Sequence, residues 1–158
     1  MLSEILTHSH AILVHFPIAV IVIGLCYDVF HGWRSRAVPP KQGMWLWVIA
    51  ALSAWLSVAT GPEEEARGNT AYLSAHSTLA NITAWAVTLL VVWRIWRAWR
   101  GNRPFAGFLL AGYLLLSIAS CALVLGAGYY GGKMVYSDGI GVQVNGTAIN
   151  PPKARPHR

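Results

Sequence analysis

Four apolar runs separated by short polar connections constrain this chain more than any other feature. They lie at about 10–30, 44–60, 76–96 and 105–129. A helix crosses a bilayer with about 20 mostly apolar residues, and the second run sits at the lower limit of about 17. The rest of the composition agrees: 55% of the 158 residues are hydrophobic and only 11% are charged, where a soluble domain carries about 25% charged residues. A surface so poor in charge suits lipid better than water. The expected fold is therefore all-α, an integral membrane four-helix bundle over residues 1–144. A flexible tail, 145–158, should follow. Gly-rich spacing around Val135-Tyr136 and Val142-Gln143-Val144 predicts a short irregular or β-hairpin-like tail, and residues 151–158 read as disordered.

The net charge of +6 does not point to nucleic acid, because the cations sit between apolar runs and so report topology. Connection 31–43 carries Arg34, Arg36 and Lys41, and the end of the third run carries Arg94, Arg97, Arg100 and Arg103. Connection 61–75 carries Glu63, Glu64 and Glu65 against Arg67. The excess of Lys and Arg marks cytoplasmic loops. Both basic connections should then face the cytoplasm of a bacterial inner membrane, with both termini outward. The N-terminus lacks a basic region and a cleavage site, so the first helix reads as an uncleaved insertion signal. The arginines interleaved with Trp93, Trp96 and Trp99 read as an interfacial anchor on lipid headgroups. Asp28, near the inner end of the first helix, is expected to pair with a cation.

This topology gathers histidines. His8, His10 and His15 fall at the outer end of the first helix and His76 at the outer start of the third, while His31 lies at the inner end and His157 in the tail. His15 stands in an apolar run two residues before Pro17, which has no N–H and frees the carbonyl of Leu13. Its imidazole either satisfies local backbone or is a ligand. His10 lies five residues earlier, roughly 140° around a regular helix, so the two share a face only if the segment is irregular. Two imidazoles from different helices are what a b-type haem requires. Small residues on the second and fourth helices would make room for the ring, and they serve close helix packing equally well. His15 and His76 are thus the candidate axial ligands, with His10 the substitute for either. Cys26 and Cys121 belong to opposite depths and should not bridge. No Cys-x-x-Cys-His for covalent haem, nucleophile elbow, phosphate loop or metalloprotease motif is present. The chain reads as an electron-transfer protein or subunit more than a stand-alone enzyme.

The block His10-Ala-Ile-Leu-Val-His15-Phe16-Pro17-Ile18-Ala19 resembles the opening of a bacterial membrane-protein family known as domain-of-unknown-function family 2231, a predicted four-helix membrane protein. Asp28 closing the first helix, Gly61 before an acidic turn, and Ala75-His76 followed by Asn81 also match. So does Gly131-Gly132-Lys133-Met134-Val135-Tyr136 leading into Gly139-Ile140-Gly141-Val142. The likeness covers roughly residues 8–144. Family members commonly carry His where this sequence has Asp138, so the resemblance implicates His10, His15 and His76 alone. Some relatives are fused to Rieske iron–sulfur or c-type cytochrome domains, which implies periplasm-facing electron transfer. The leading expectation is a haem b protein relaying electrons between quinol or a membrane complex and a periplasmic cytochrome or Rieske-type acceptor. Its surroundings would be the lipid bilayer, with oligomerisation left open. Two alternatives stand beside it: a cofactor-free subunit or scaffold of a larger complex, and a copper or zinc binding or transport protein.

Overall fold

The apolar runs form helices because no water is available at membrane depth, and each backbone N–H and C=O must be satisfied within its own segment. The computed structural model describes residues 10–61 and 68–151. Its four helices are α1 (His15–Ser35), α2 (Met44–Ala59), α3 (Leu73–Trp99) and α4 (Gly107–Tyr136). A turn from His10 extends α1, so that His10–Ser35, Leu73–Trp99 and Gly107–Tyr136 are each long and apolar enough to span a membrane. Each helix packs on its sequence neighbours, and α4 closes the ring on α1. One end of the bundle holds the connections rich in Lys and Arg, here called the basic end. The other holds His10 and His76, the histidine end.

Small and hydroxyl residues share the interior with an apolar core of Ile21, Trp47, Val87, Leu90 and Tyr113, and large apolar residues also cover the outside. Ala50, Ala54, Ser57, Thr83, Ala84, Ser117 and Ser120 are buried, while Leu52, Trp85 and Leu115 are exposed. Lipid offers no hydrophobic drive for helix association, so close approach of small residues and hydrogen bonding take its place. The hydroxyls are satisfied locally: Ser117 donates to the Tyr113 carbonyl at 2.9 Å and Thr83 to the Leu79 carbonyl at 2.7 Å.

Helix α2 has 16 residues, about 24 Å at 1.5 Å per residue, against a hydrocarbon core of about 30 Å. The segment before it makes up the difference. A strand β1 (Ala37–Val38) pairs antiparallel with β2 (Phe105–Ala106), Val38 opposite Phe105. Val38, Pro40 and Phe105 are fully buried beneath the helix ends. Gly43 then turns into α2 at φ +70°, where a Cβ would stand 2.7 Å from the Tyr27 ring. Irregular backbone at this depth must find donors inside the protein, and Arg94 supplies them. Its Nε donates to the Pro40 carbonyl at 3.0 Å, and its Nη2 donates to the carbonyls of Pro39 and Gln42. Its Nη1 pairs with Asp28 Oδ2 at 2.8 Å and reaches the Tyr113 hydroxyl oxygen. Trp47 Nε1 and the Tyr113 hydroxyl donate to the same carboxylate oxygen, Trp47 at 2.6 Å. Every helix contributes one side chain to this buried cluster.

The expected partner for Asp28 is thereby identified. The expected headgroup role for Arg94 is corrected, because Arg94 is completely buried. A three-residue spacing turns 300° per step, so Arg94 and Arg97 take different sides of α3, and Arg100 and Arg103 lie beyond its last residue. Arg97 lies over Phe105 and donates to the carbonyls of Arg103 and Pro104, and Arg100 lies over Trp96.

The fourth helix also runs past its expected end at 129, through Gly131-Gly132 to Tyr136. Val135-Tyr136 is therefore helical, and the hairpin forms later, from β3 (Gln143–Val144) and β4 (Thr147–Ala148). Its turn is Asn145-Gly146, both at positive φ, as a two-residue type I′ turn requires. Asn150 fastens the hairpin, accepting from the Asn69 N–H and donating to the carbonyls of Asn69 and Asp138. The acidic turn Glu63-Glu64-Glu65, His8, His157 and the residues from 152 onward lie outside the described residues. Cys26 and Cys121 are both free.

Removing one partner of a buried ion pair strands the other charge and costs about 3–5 kcal/mol. Asp28→Asn should lower stability by that order. Arg94→Met should cost more, since it also orphans three carbonyls. The double variant Asp28→Leu/Arg94→Met should recover part of the loss and not all of it. Thermal or SDS unfolding in detergent, followed by tryptophan fluorescence, reads the three values.

Candidate cofactor site at the histidine end

The helical span of α1 opens at His10, with a single irregular residue at Val14. Pro17 lies three residues on and is buried. The Val14 N–H still donates to the His10 carbonyl at 3.0 Å, so the turn keeps helical pitch. Helix α3 starts at Leu73 and carries His76 in its first turn. These two elements bring the rings of His10 and His76 together, with centroids 6.5 Å apart and planes 83° to each other.

His76 is held from the other side by α4. Its Nδ1 lies 2.8 Å from the Ala127 carbonyl oxygen. A carbonyl only accepts, so Nδ1 carries a proton here and Nε2 is the ring nitrogen left for any ligand. Gly131 makes this possible. It sits one turn beyond Ala127, and a Cβ there would stand 3.2 Å from both Nδ1 and Cε1 of the ring. The nearby glycines serve packing instead: Gly126 receives Leu79 at 3.3 Å and Gly128 receives Ile18 at 3.6 Å. An imidazole whose Nδ1–H is fixed on a backbone carbonyl is the usual outer support of a metal-ligating histidine.

His15 is placed elsewhere. It is exposed on α1, and its Nδ1 donates to the Ala11 carbonyl at 2.7 Å. The structure thus joins His10 to His76 and leaves His15 on the outer surface of the bundle. The local-backbone role weighed for His15 is present in this bond. His31 belongs to the basic end, where it packs on Tyr27 and accepts from Gln42 Nε2 at 3.1 Å. Asp138 has its N–H on the Lys133 carbonyl and its own carbonyl on Asn150. No group of three or more His, Cys, Asp or Glu is arranged for a metal ion among the described residues.

Two features escaped the sequence reading. Gly131 passes as one glycine in a Gly-rich stretch, though its place one turn after Ala127 is what admits His76. That His10 and not His15 turns toward His76 was legible through Asp28. Eighteen residues, five full helical turns, separate Asp28 from His10, while thirteen separate it from His15, which falls about 220° away. A residue known to face the core at one end predicts which histidine faces it at the other.

The sequence model of a family described as predicted membrane protein, DUF2231, matches residues 8–144. No curated protein and no solved structure matches the chain.

Filling the space opposite His76 should disturb this end. Gly131→Leu should lower stability by about 1–3 kcal/mol through overpacking. Gly132→Ala meets nothing closer than Tyr136 at 3.9 Å and should be neutral or stabilising, since Ala exceeds Gly in helix propensity by about 1 kcal/mol. The pair of unfolding midpoints measures the difference.

Proposed function

The chain belongs to the DUF2231 family of predicted membrane proteins, and we propose that it is a membrane-bound b-type haem protein that relays electrons at its histidine end, with His76 and His10 as the axial ligands. The observation that carries this reading is the juxtaposition of the two imidazoles from different helices, 6.5 Å between centroids. Two imidazoles on opposite sides of one metal, each bonded at about 2 Å, hold their centroids on the order of 6 Å apart. The donor chemistry fits as well. His76 presents Nε2 as its unengaged ring nitrogen, with the ring orientation fixed by the Ala127 carbonyl, and Gly131 keeps that side of the ring clear.

The ligand count favours haem over a bare ion. A closed zinc site takes four protein ligands, and the described residues offer no cluster of three. A porphyrin brings four nitrogens of its own and asks the protein for two. When bound, the haem supplies reversible one-electron redox chemistry. The protein's part is to present the two imidazoles, to hold the His76 ring by its Nδ1–H, and to exclude water on the bundle side. In this reading the basic end faces the cytoplasm of a bacterial inner membrane and the histidine end faces the periplasm. Quinol or a membrane complex would donate, and a periplasmic cytochrome or Rieske-type protein would accept.

Purified protein should show a reduced-minus-oxidised band at roughly 550–565 nm, as low-spin haem does. His76→Ala and His10→Ala should each abolish the low-spin spectrum, since each removes one strong-field axial nitrogen. His15→Ala and His31→Ala should leave it intact. A parent protein without haem, or four variants that bind it alike, would refute the proposal. Loss on His15→Ala with retention on His10→Ala would refute the ligand pair.

A further inference from the structure

A groove of about 290 Å³ runs along the last turns of α4, lined by Gly128, Tyr129, Gly132, Lys133, Tyr136 and Ser137. Its depth in a membrane follows from the length of the helix. The 30 residues of α4 measure about 45 Å, at 1.5 Å per residue. A hydrocarbon core of about 30 Å occupies some 20 of them. Counted from the basic end, the hydrocarbon stops near Gly128, and the groove stands among the headgroups. Tyr129 and Tyr136, 59% and 91% exposed, are the aromatic residues expected at that boundary.

The groove holds one cation in an unusual setting. Lys133 Nζ lies 5.1 Å from the centroid of the Tyr72 ring and 5.5 Å from that of Tyr129. Both are within cation–π range, about 6 Å. Among the described residues no carboxylate pairs with it, and the ion pair there is that of Arg94 with Asp28. The ammonium is therefore positioned by two tyrosine rings. It also stands at the end of the bundle opposite the arginine-rich loops, where topology asks for no cation. One helical turn before Tyr129, Leu125 is exposed and continues the same side of α4 into the hydrocarbon.

We propose that this groove binds the headgroup of an anionic diacyl phospholipid, with Lys133 on the phosphate and an acyl chain descending along Leu125. Charge complementarity selects the occupant. A phosphodiester meets the Lys133 ammonium between two tyrosines, Gly132 leaves room for the glycerol, and the open side of the groove faces the lipid. A zwitterionic lipid carries its own cation and gains less from Lys133. The site is independent of any haem.

The test is native mass spectrometry of the full chain in neutral detergent, titrated with phosphatidylglycerol or phosphatidylcholine of the same acyl chains. Phosphatidylglycerol should be retained more strongly. Lys133→Gln should weaken the tightest phosphatidylglycerol equivalent about five- to tenfold, the loss of one headgroup cation. Lys133→Arg should restore it. Gly132→Leu should also weaken it by filling the groove, and Lys133→Gln decides the matter should that variant misfold. Equal retention of the two lipids, or an unchanged Lys133→Gln variant, would overturn the proposal. Displacement of the lipid by millimolar inorganic phosphate would overturn it too, by assigning the site to free phosphate.

Discussion

The ion pair between Asp28 and Arg94 is the constraint from which the rest of this bundle follows. Two charges at 0% exposure carry a desolvation cost of several kcal/mol each, which attraction alone does not offset. Hydrogen bonding makes the arrangement tolerable. Asp28 Oδ2 accepts from Arg94, Trp47 and Tyr113, and the guanidinium also serves the carbonyls of Pro39, Pro40 and Gln42. The cluster therefore does two things. It fixes the rotation of all four helices, and it satisfies the irregular segment that compensates for a short α2. A rotation of any helix would leave a buried charge or carbonyl without its partner, so the alternative packings are penalised.

That rotational control reaches the opposite end of the bundle. Asp28 and His10, Arg94 and His76, and Tyr113 and Gly131 are each separated by 18 residues. Eighteen residues make five turns, about 27 Å along the axis, close to the thickness of a hydrocarbon core of about 30 Å. Three members of the charged cluster therefore stand directly above the three residues that build the histidine site. The spacing converts one well-determined set of contacts at the basic end into a facing arrangement at the histidine end, with no direct contact between the two.

The helices were legible because lipid permits little else for long apolar runs, and the pairing of Asp28 with a cation was legible because a lone carboxylate at that depth is too costly. Three particulars were not. Arg94 looked like its neighbours 97, 100 and 103, and only its angular offset on the helix separates a core residue from an anchor. The end of α4 was hidden because Gly131 and Gly132 read as a break, whereas the approach of His76 to the Ala127 carbonyl favours a residue without Cβ inside a continuing helix. The hairpin's first strand, Gln143-Val144, stands where it was expected, but its partner is Thr147-Ala148 across Asn145-Gly146, while Val135-Tyr136 stays helical. At the site, the histidines were legible as a group, but choosing between His10 and His15 needed a second inward-facing residue on the same helix.

The central proposal is that His10 and His76, whose ring centroids this fold brings to 6.5 Å, would together hold a haem iron. Their planes stand 83° apart. Two imidazoles on one iron would make a low-spin ferric centre, and losing either would leave the iron one strong-field nitrogen short. Electron paramagnetic resonance of the oxidised protein at liquid-helium temperature reads this directly. The account predicts a low-spin ferric signal that His10→Ala and His76→Ala each abolish. No low-spin ferric signal, or one that survives either substitution, would contradict it.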